Sequence, residues 1–137
     1  MKFSSKESVM KITQSNLSNK DRAWLKMAKK LAATGECKKR HGAVVVRGGR
    51  VISVGINRYR QDQDYSFIPQ EARSFHAEEA CLRALGGDAQ GATIYVARVS
   101  RKFKTEMMSK PCDDCMKLIV AAGVKRIVYT IESEISL

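Results

Sequence analysis

The chain has 137 residues, 44% apolar and 28% charged, which suits one globular domain with a sizeable core and leaves no room for a second. No stretch approaches the roughly 18 apolar residues of a membrane span, and "MKFSSKESVMKITQSNLSNK" lacks the apolar segment and cleavage pattern of a secretory signal, so a cytoplasmic protein with no membrane partner is expected. The net charge of +11 is uneven: residues 1–40 hold eleven Lys/Arg against three Asp/Glu (+8), and residues 41–137 hold fourteen against eleven (+3), a field that attracts phosphates but equally marks a solvated helix face.

Residues 1–17, rich in Ser and Lys, read as a flexible basic leader, and residues 18–137 as a single domain. A helix follows in "LSNKDRAWLKMAKKLAATGE": Ser18 caps it, Asp21 suits its first turn, Trp24, Leu25, Ala28, Leu31 and Ala32 form an apolar stripe, and Gly35 stops it. "HGAVVVRGGRVISVGIN" holds two β-branched runs joined by Gly48-Gly49, the pattern of an antiparallel hairpin. "RYRQDQDYSFIPQEA", residues 58–72, loses periodicity and is expected as a long loop. A second helix is predicted from about His76 to Leu85, a strand in "ATIYVARV", and a long basic loop in "SRKFKTEMMSK". Pro111 fits the first turn of a third helix that runs to about Ala122, and "KRIVYT" is the last strand. The order α-β-β-α-β-α-β, with a helix between the last two strands, requires a parallel pair in a mixed α/β sheet.

Four cysteines without a secretion signal favour metal binding or catalysis over disulfides. Cys112 and Cys115 form the close pair, while Cys37 and Cys81 are expected as buried, reduced thiols. At i and i+3 the pair shares one face of a helix start, where the positive end of the dipole favours thiolates. His76 also opens a helix, so the three side chains can converge at one end of the sheet. One His and two Cys make a catalytic rather than a structural zinc shell, because a structural site has four protein ligands. Glu78, two residues from His76, is free to move a proton rather than bind metal. A structural zinc clip lacks a second ligand pair, and a redox C-x-x-C does not account for the upstream H-x-E.

The H-x-E and P-C-x-x-C motifs together are a signature of zinc nucleobase deaminases. "RHGAVVVRGGRVISVGIN", "FHAEE", "GATIYV" and "SKPCDDCMKLIVAAGVKRIVYT" resemble, in order, the cytidine and deoxycytidylate deaminase superfamily over roughly residues 20–130. The resemblance implies a three-layer α-β-α cytidine deaminase-like fold, one catalytic Zn2+, and hydrolytic removal of an exocyclic amine. His76, Cys112 and Cys115 match the zinc ligands, and Glu78 matches the proton shuttle between the attacking water, the ring nitrogen and the leaving amine. Asn57 matches the asparagine that bonds substrate, and the Ala77 N–H matches the donor to the base carbonyl. Arg58 and Lys110 join them as substrate contacts, and Arg60 and Arg73 are further candidates for a phosphate.

A small-molecule pyrimidine nucleotide or nucleoside, of dCMP or cytidine type, is the expected substrate. A nucleic-acid substrate, tRNA adenosine or single-stranded cytosine, and a non-catalytic zinc module are the alternatives. Ala80 and Arg58 stand where the deoxycytidylate branch usually carries Asn and Gly. Only "IESEISL" follows Thr130, so the superfamily's fifth strand is expected to be short or absent, and the edge left open calls for a homo-oligomer.

Overall fold

The computed structural model describes residues 10–12, 17–35, 40–59, 74–99, 106–107, 109 and 111–130. Helix α1, Asn19–Ala33, begins at Ser18 through a reciprocal cap: Ser18 Oγ accepts the Asp21 N–H at 3.0 Å, and Asp21 Oδ2 accepts the Ser18 N–H at 3.2 Å. Strands β2 (Arg40–Arg47) and β3 (Arg50–Ile56) form the expected hairpin. Gly48 and Gly49 turn it at φ +62° and +77°, angles that side-chain-bearing residues resist. Helix α2 spans Ala77–Ala84, β6 Thr93–Val99, α3 Asp113–Ala121 and β8 Arg126–Tyr129. Through the α3 crossover, β6 and β8 run parallel, as the element order requires.

Alternation along the central strands sorts the core into two layers. Ala43 and Val45 of β2, Ile94 and Val96 of β6 and Ile127 of β8 pack against Ala77, Cys81 and Leu82 of α2 and Ile119 of α3. Their neighbours Val44, Val46, Tyr95, Ala97 and Val128 face α1 through Leu25 and Ala28. Burial on both faces explains why these strands read as continuous apolar runs. The result is three layers, α1 on one side of a mixed sheet and α2 with α3 on the other. Two glycines allow the helices to sit close. A Cβ at Gly42 would strike the backbone of α1 at Ala28 and Ala32, and one at Gly55 would strike α2.

Several short elements differ from the sequence reading. Met10–Ile12, inside the expected flexible leader, forms strand β1, which pairs in parallel with β8 at the edge of the sheet. The order is β1-β8-β6-β2-β3, so the fifth place is filled from the amino-terminal side by a strand of three residues. Residues 1–9, 13–16 and 131–137 lie outside the described residues. Arg58–Tyr59 (β4) pairs with Ser74–Phe75 (β5) where a loop was expected, and Glu106–Met107 (β7), inside the basic loop, pairs with the end of β6. Helix α3 starts at Asp113 with Cys112 as its N-cap, so Pro111 precedes the helix rather than occupying its first turn. Among the described residues no helix is long and apolar enough to cross a membrane.

Asp21 does more than complement a helix dipole. It is 5% exposed, receives two bonds from the Arg126 guanidinium at 2.9 and 3.3 Å, and accepts the Tyr95 hydroxyl at 2.6 Å. Burial alone would raise its pKa, but Arg126, Tyr95 and the Ser18 N–H outweigh that and hold it at about 2. The start of α1 is thereby fastened to β6 and β8.

Candidate metal centre

His76 and Cys112 occupy the same structural position, each the extended N-cap residue of a helix, α2 and α3 respectively. The two helices lie on the same face of the sheet and bring their positive ends together. His76 Nδ1 lies 3.2 Å from Cys115 Sγ and 3.6 Å from Cys112 Sγ. The Cys115 N–H donates to Cys112 Sγ at 3.5 Å, so the i, i+3 spacing closes the first turn of α3 around the two sulfurs. All three donor atoms lie within 4.8 Å of one another, and among the described residues they form a group able to hold a metal ion.

The dimensions suit zinc. A tetrahedron with Zn–S bonds of about 2.3 Å and a Zn–N bond of about 2.0 Å has donor-to-donor edges of roughly 3.5–3.8 Å. The donor chemistry agrees. Burial pushes the Cys115 thiol well above the ordinary range, and the nearby Glu78 carboxylate and Cys112 push it further, so a thiolate there needs a cation to balance it. Cys115 is buried and Cys112 exposed, which leaves one side of the cluster open to solvent.

Glu78 lies in the first turn of α2 and is 4% exposed. Burial raises its pKa, while its own backbone N–H and the charge of His76 act in the opposite direction. A buried carboxyl with a raised pKa, two residues from His76, is suited to take up and release a proton.

Of the expected substrate contacts, Ala77 is the first residue of α2, where helix geometry supplies no acceptor for its N–H. Asn57 is buried, and its Oδ1 accepts the His41 N–H at 2.9 Å, which fixes the orientation of the carboxamide. Arg58 is exposed and pairs in register with Phe75, so the β4–β5 ladder draws Asn57 and Arg58 alongside Phe75 and His76. Lys110, Arg60, Arg73 and Cys37 lie outside the described residues. Cys81 is buried and reduced, as expected; its thiol donates to Ala43 O at 3.4 Å and is pushed up to about 12 by burial and by Glu78.

One group at the approach to the cysteines has no signature in the sequence. Ser109 and Thr130 are 2% and 0% exposed, and their hydroxyls lie 2.7 Å apart. Each is one small polar residue among many, and their partners are distant in the chain.

Known proteins resemble this chain in sequence and in fold. The family model described as the cytidine and deoxycytidylate deaminase zinc-binding region matches residues 18–131. A deoxycytidylate deaminase of Mycobacterium phage D29 is 31% identical, over 82% of this chain and 95% of its own length. The fold is similar to that of the dCMP deaminase of cyanophage S-TIM5 in its apo form, with a TM-score of 0.64 and 24% identity over 86% of this chain and 88% of that one. It is also similar to the cytidine deaminase of Mycobacterium leprae, with a TM-score of 0.53 and 19% identity over 82% and 87% of the two chains. On the span of the family model and the phage relative, the chain belongs to the cytidine and deoxycytidylate deaminase family.

Proposed function

We propose that the protein is a zinc-dependent hydrolytic deaminase that converts a cytosine mononucleotide, dCMP first among the candidates, to its uracil form. The observation that carries this is the convergence of His76 Nδ1 with the Cys112 and Cys115 sulfurs beside the buried Glu78. The phage relative is a deoxycytidylate deaminase, and the cyanophage enzyme has been solved with dCMP and dUMP, which supports a mononucleotide substrate.

His76, Cys112 and Cys115 would hold the zinc, which supplies Lewis-acid acidification of a water near neutral pH. Glu78 takes a proton from the attacking water and delivers it to the ring nitrogen next to C4 as the water oxygen bonds to that carbon. It then carries the second proton to the exocyclic amine, the C4–N bond breaks, and ammonia leaves with the oxygen retained as the uracil carbonyl. The raised pKa of Glu78 serves both transfers, since the group must be basic enough to accept and acidic enough to donate. The Ala77 N–H is the donor for the base carbonyl, the Asn57 carboxamide bonds the sugar or base, and Arg58 and Lys110 supply charge for a phosphate.

The test is ammonia release by the zinc-loaded protein and its Glu78→Gln variant with dCMP, CMP, deoxycytidine, cytidine, single-stranded DNA and tRNA offered separately. Turnover of a mononucleotide is expected, with a loss of about 10²–10⁴-fold in the variant and zinc retained. Turnover of a polymer alone would overturn the substrate assignment.

We also infer a homo-oligomer. Among the described residues β3 has no strand partner on its outer side, and Val54 on it is 43% exposed, an edge suited to a second copy. A monomer by light scattering at micromolar concentration would refute this.

A further inference from the structure

Ser109 lies three residues before Cys112. Its Oγ is 2.8 Å from Val96 O, 2.8 Å from Thr130 N, 2.7 Å from Thr130 Oγ1 and 3.3 Å from Thr130 O. Its backbone N–H donates to Thr130 O at 3.0 Å. Either hydroxyl of the Ser109–Thr130 pair can be the donor, and the Thr130 N–H is shared with Val96 O at 3.1 Å; one arrangement of protons satisfies every group. The Ser109 hydroxyl donates to Val96 O and accepts from the Thr130 N–H and the Thr130 hydroxyl, while Thr130 Oγ1 accepts the Arg98 N–H at 3.3 Å. A serine hydroxyl offers one donor and two acceptor sites, and all three are used.

The location gives these bonds their consequence. Val96 is the middle residue of β6 and Thr130 directly follows β8, so Ser109 fastens the segment entering α3 to the middle of β6 and to the carboxyl end of β8. Two residues separate it from Cys112, and one of them, Pro111, is buried with its φ fixed near −65° by its ring. Three residues reach about 10 Å at most, so little slack remains between the clamp and the ligand. Of the three donors, Cys115 is held by the core around it and His76 by the ladder before α2. Cys112 is exposed, so its backbone must locate it.

We propose that Ser109 is a positioning residue for the metal centre, its hydroxyl setting the entry to α3 so that Cys112 is aligned with Cys115 and His76 before a metal arrives. The proposal rests on the reading of those three residues as a metal site. Without the hydroxyl the backbone bond to Thr130 remains, but Val96 O and the Thr130 groups lose a buried partner, and the segment is free to shift.

The experiment measures zinc affinity by chelator competition and the absorption of the Co2+-loaded protein for wild type, Ser109→Ala, Ser109→Thr, Ser109→Val and Thr130→Val. Thr and Val at position 109 have nearly the same shape, so the pair isolates the hydroxyl even where added bulk lowers stability. Ser109→Ala and Ser109→Val are expected to lose about tenfold in zinc affinity, with a weakened thiolate-to-cobalt band, and Ser109→Thr to recover most of both. Thr130→Val keeps the Ser109 bonds to Val96 O and the Thr130 N–H and is expected to bind zinc within threefold of wild type. Affinities within twofold of wild type in both Ser109→Ala and Ser109→Val would overturn the proposal, as would metal loss that tracks melting temperature across all variants, Thr130→Val included. A wild-type protein with no thiolate-to-cobalt band would instead overturn the metal reading, and the positioning role with it.

Discussion

Gly55→Ala tests how closely α2, the helix of His76 and Glu78, is seated on the sheet. A Cβ at this position would lie 2.7 Å from Ala77 O, 3.0 Å from the Ala80 Cβ and 3.1 Å from Cys81 N, and ordinary contact begins at 3.4 Å. Two of these three neighbours are helix backbone, so relief requires α2 to move away from β3 by about 0.7 Å, the difference between 3.4 and 2.7 Å. Overpacking of this kind costs about 1–3 kcal/mol, and loss of glycine freedom in the unfolded chain returns about 0.4–1 kcal/mol. A net cost of about 1–2 kcal/mol lowers the melting temperature of a domain of this size by roughly 4–8 °C. The same shift carries His76 and Glu78, because they cap and open the displaced helix. A misplacement of about 1 Å can cost 10²-fold in rate, so about a tenfold loss in kcat is expected here. Thermal unfolding by circular dichroism and steady-state ammonia release measure the two effects, with Lys26→Ala, exposed on α1, as a control expected to stay within about 0.5 kcal/mol. A Gly55→Ala protein with a wild-type melting temperature and kcat within twofold would show that α2 does not rest on this glycine.

Other perturbations address separate parts of the molecule. The Asp21 carboxyl is depressed from 3.8 to about 2, so its contribution to stability is present above pH 4 and is lost as the pH falls through 2. It is worth about 2 kcal/mol, and Asp21→Asn should flatten urea-unfolding stability across that window; an unchanged acid slope would remove Asp21 from the account. Ser18→Ala breaks the reciprocal cap and should cost about 1 kcal/mol, read from the same urea curves, with no change in zinc content. Cys115→Ser replaces a buried sulfur donor of the cluster and should abolish stoichiometric zinc by elemental analysis while leaving far-ultraviolet dichroism close to wild type. Retention of one zinc per chain in that variant would exclude Cys115 as a ligand.

The parts of the fold legible in the sequence were those whose signals are local. The Ser18 cap, the stripe from Trp24 to Ala32, the Gly48-Gly49 turn and the apolar runs of β2, β6 and β8 each carry their own pattern. The group of His76, Cys112 and Cys115 was legible because these residue types, with Glu78 two places after His76, have a joint spacing with few other uses. Strand β1 was not legible, since three residues in a Lys- and Ser-rich stretch are ordered by backbone pairing with a partner from the far end of the chain. Strand β7 escaped for another reason: its partner is close in the chain, but a strand of two residues carries no alternating pattern. Asp21 looked like a helix-dipole charge because its sequence neighbours explain it fully, and only the tertiary fold brings Tyr95 and Arg126 to it. Ser109 and Thr130 were invisible because their importance lies in being buried together.

The pairing of Met10 with Arg126 also bears on how the chain is made. On a ribosome β1 emerges before the other described elements and β8 after them. The hairpin of β2 and β3 and the packing of α1 can begin during synthesis, because their contacts are close in sequence. Neither flank of β8 can be paired until β8 itself has emerged, and both cysteines of the candidate metal centre emerge only shortly before it. A nascent chain therefore keeps β1 unpaired until β8 is out, so a chain stopped before Cys112 should neither close its sheet nor contain the whole His76, Cys112 and Cys115 group.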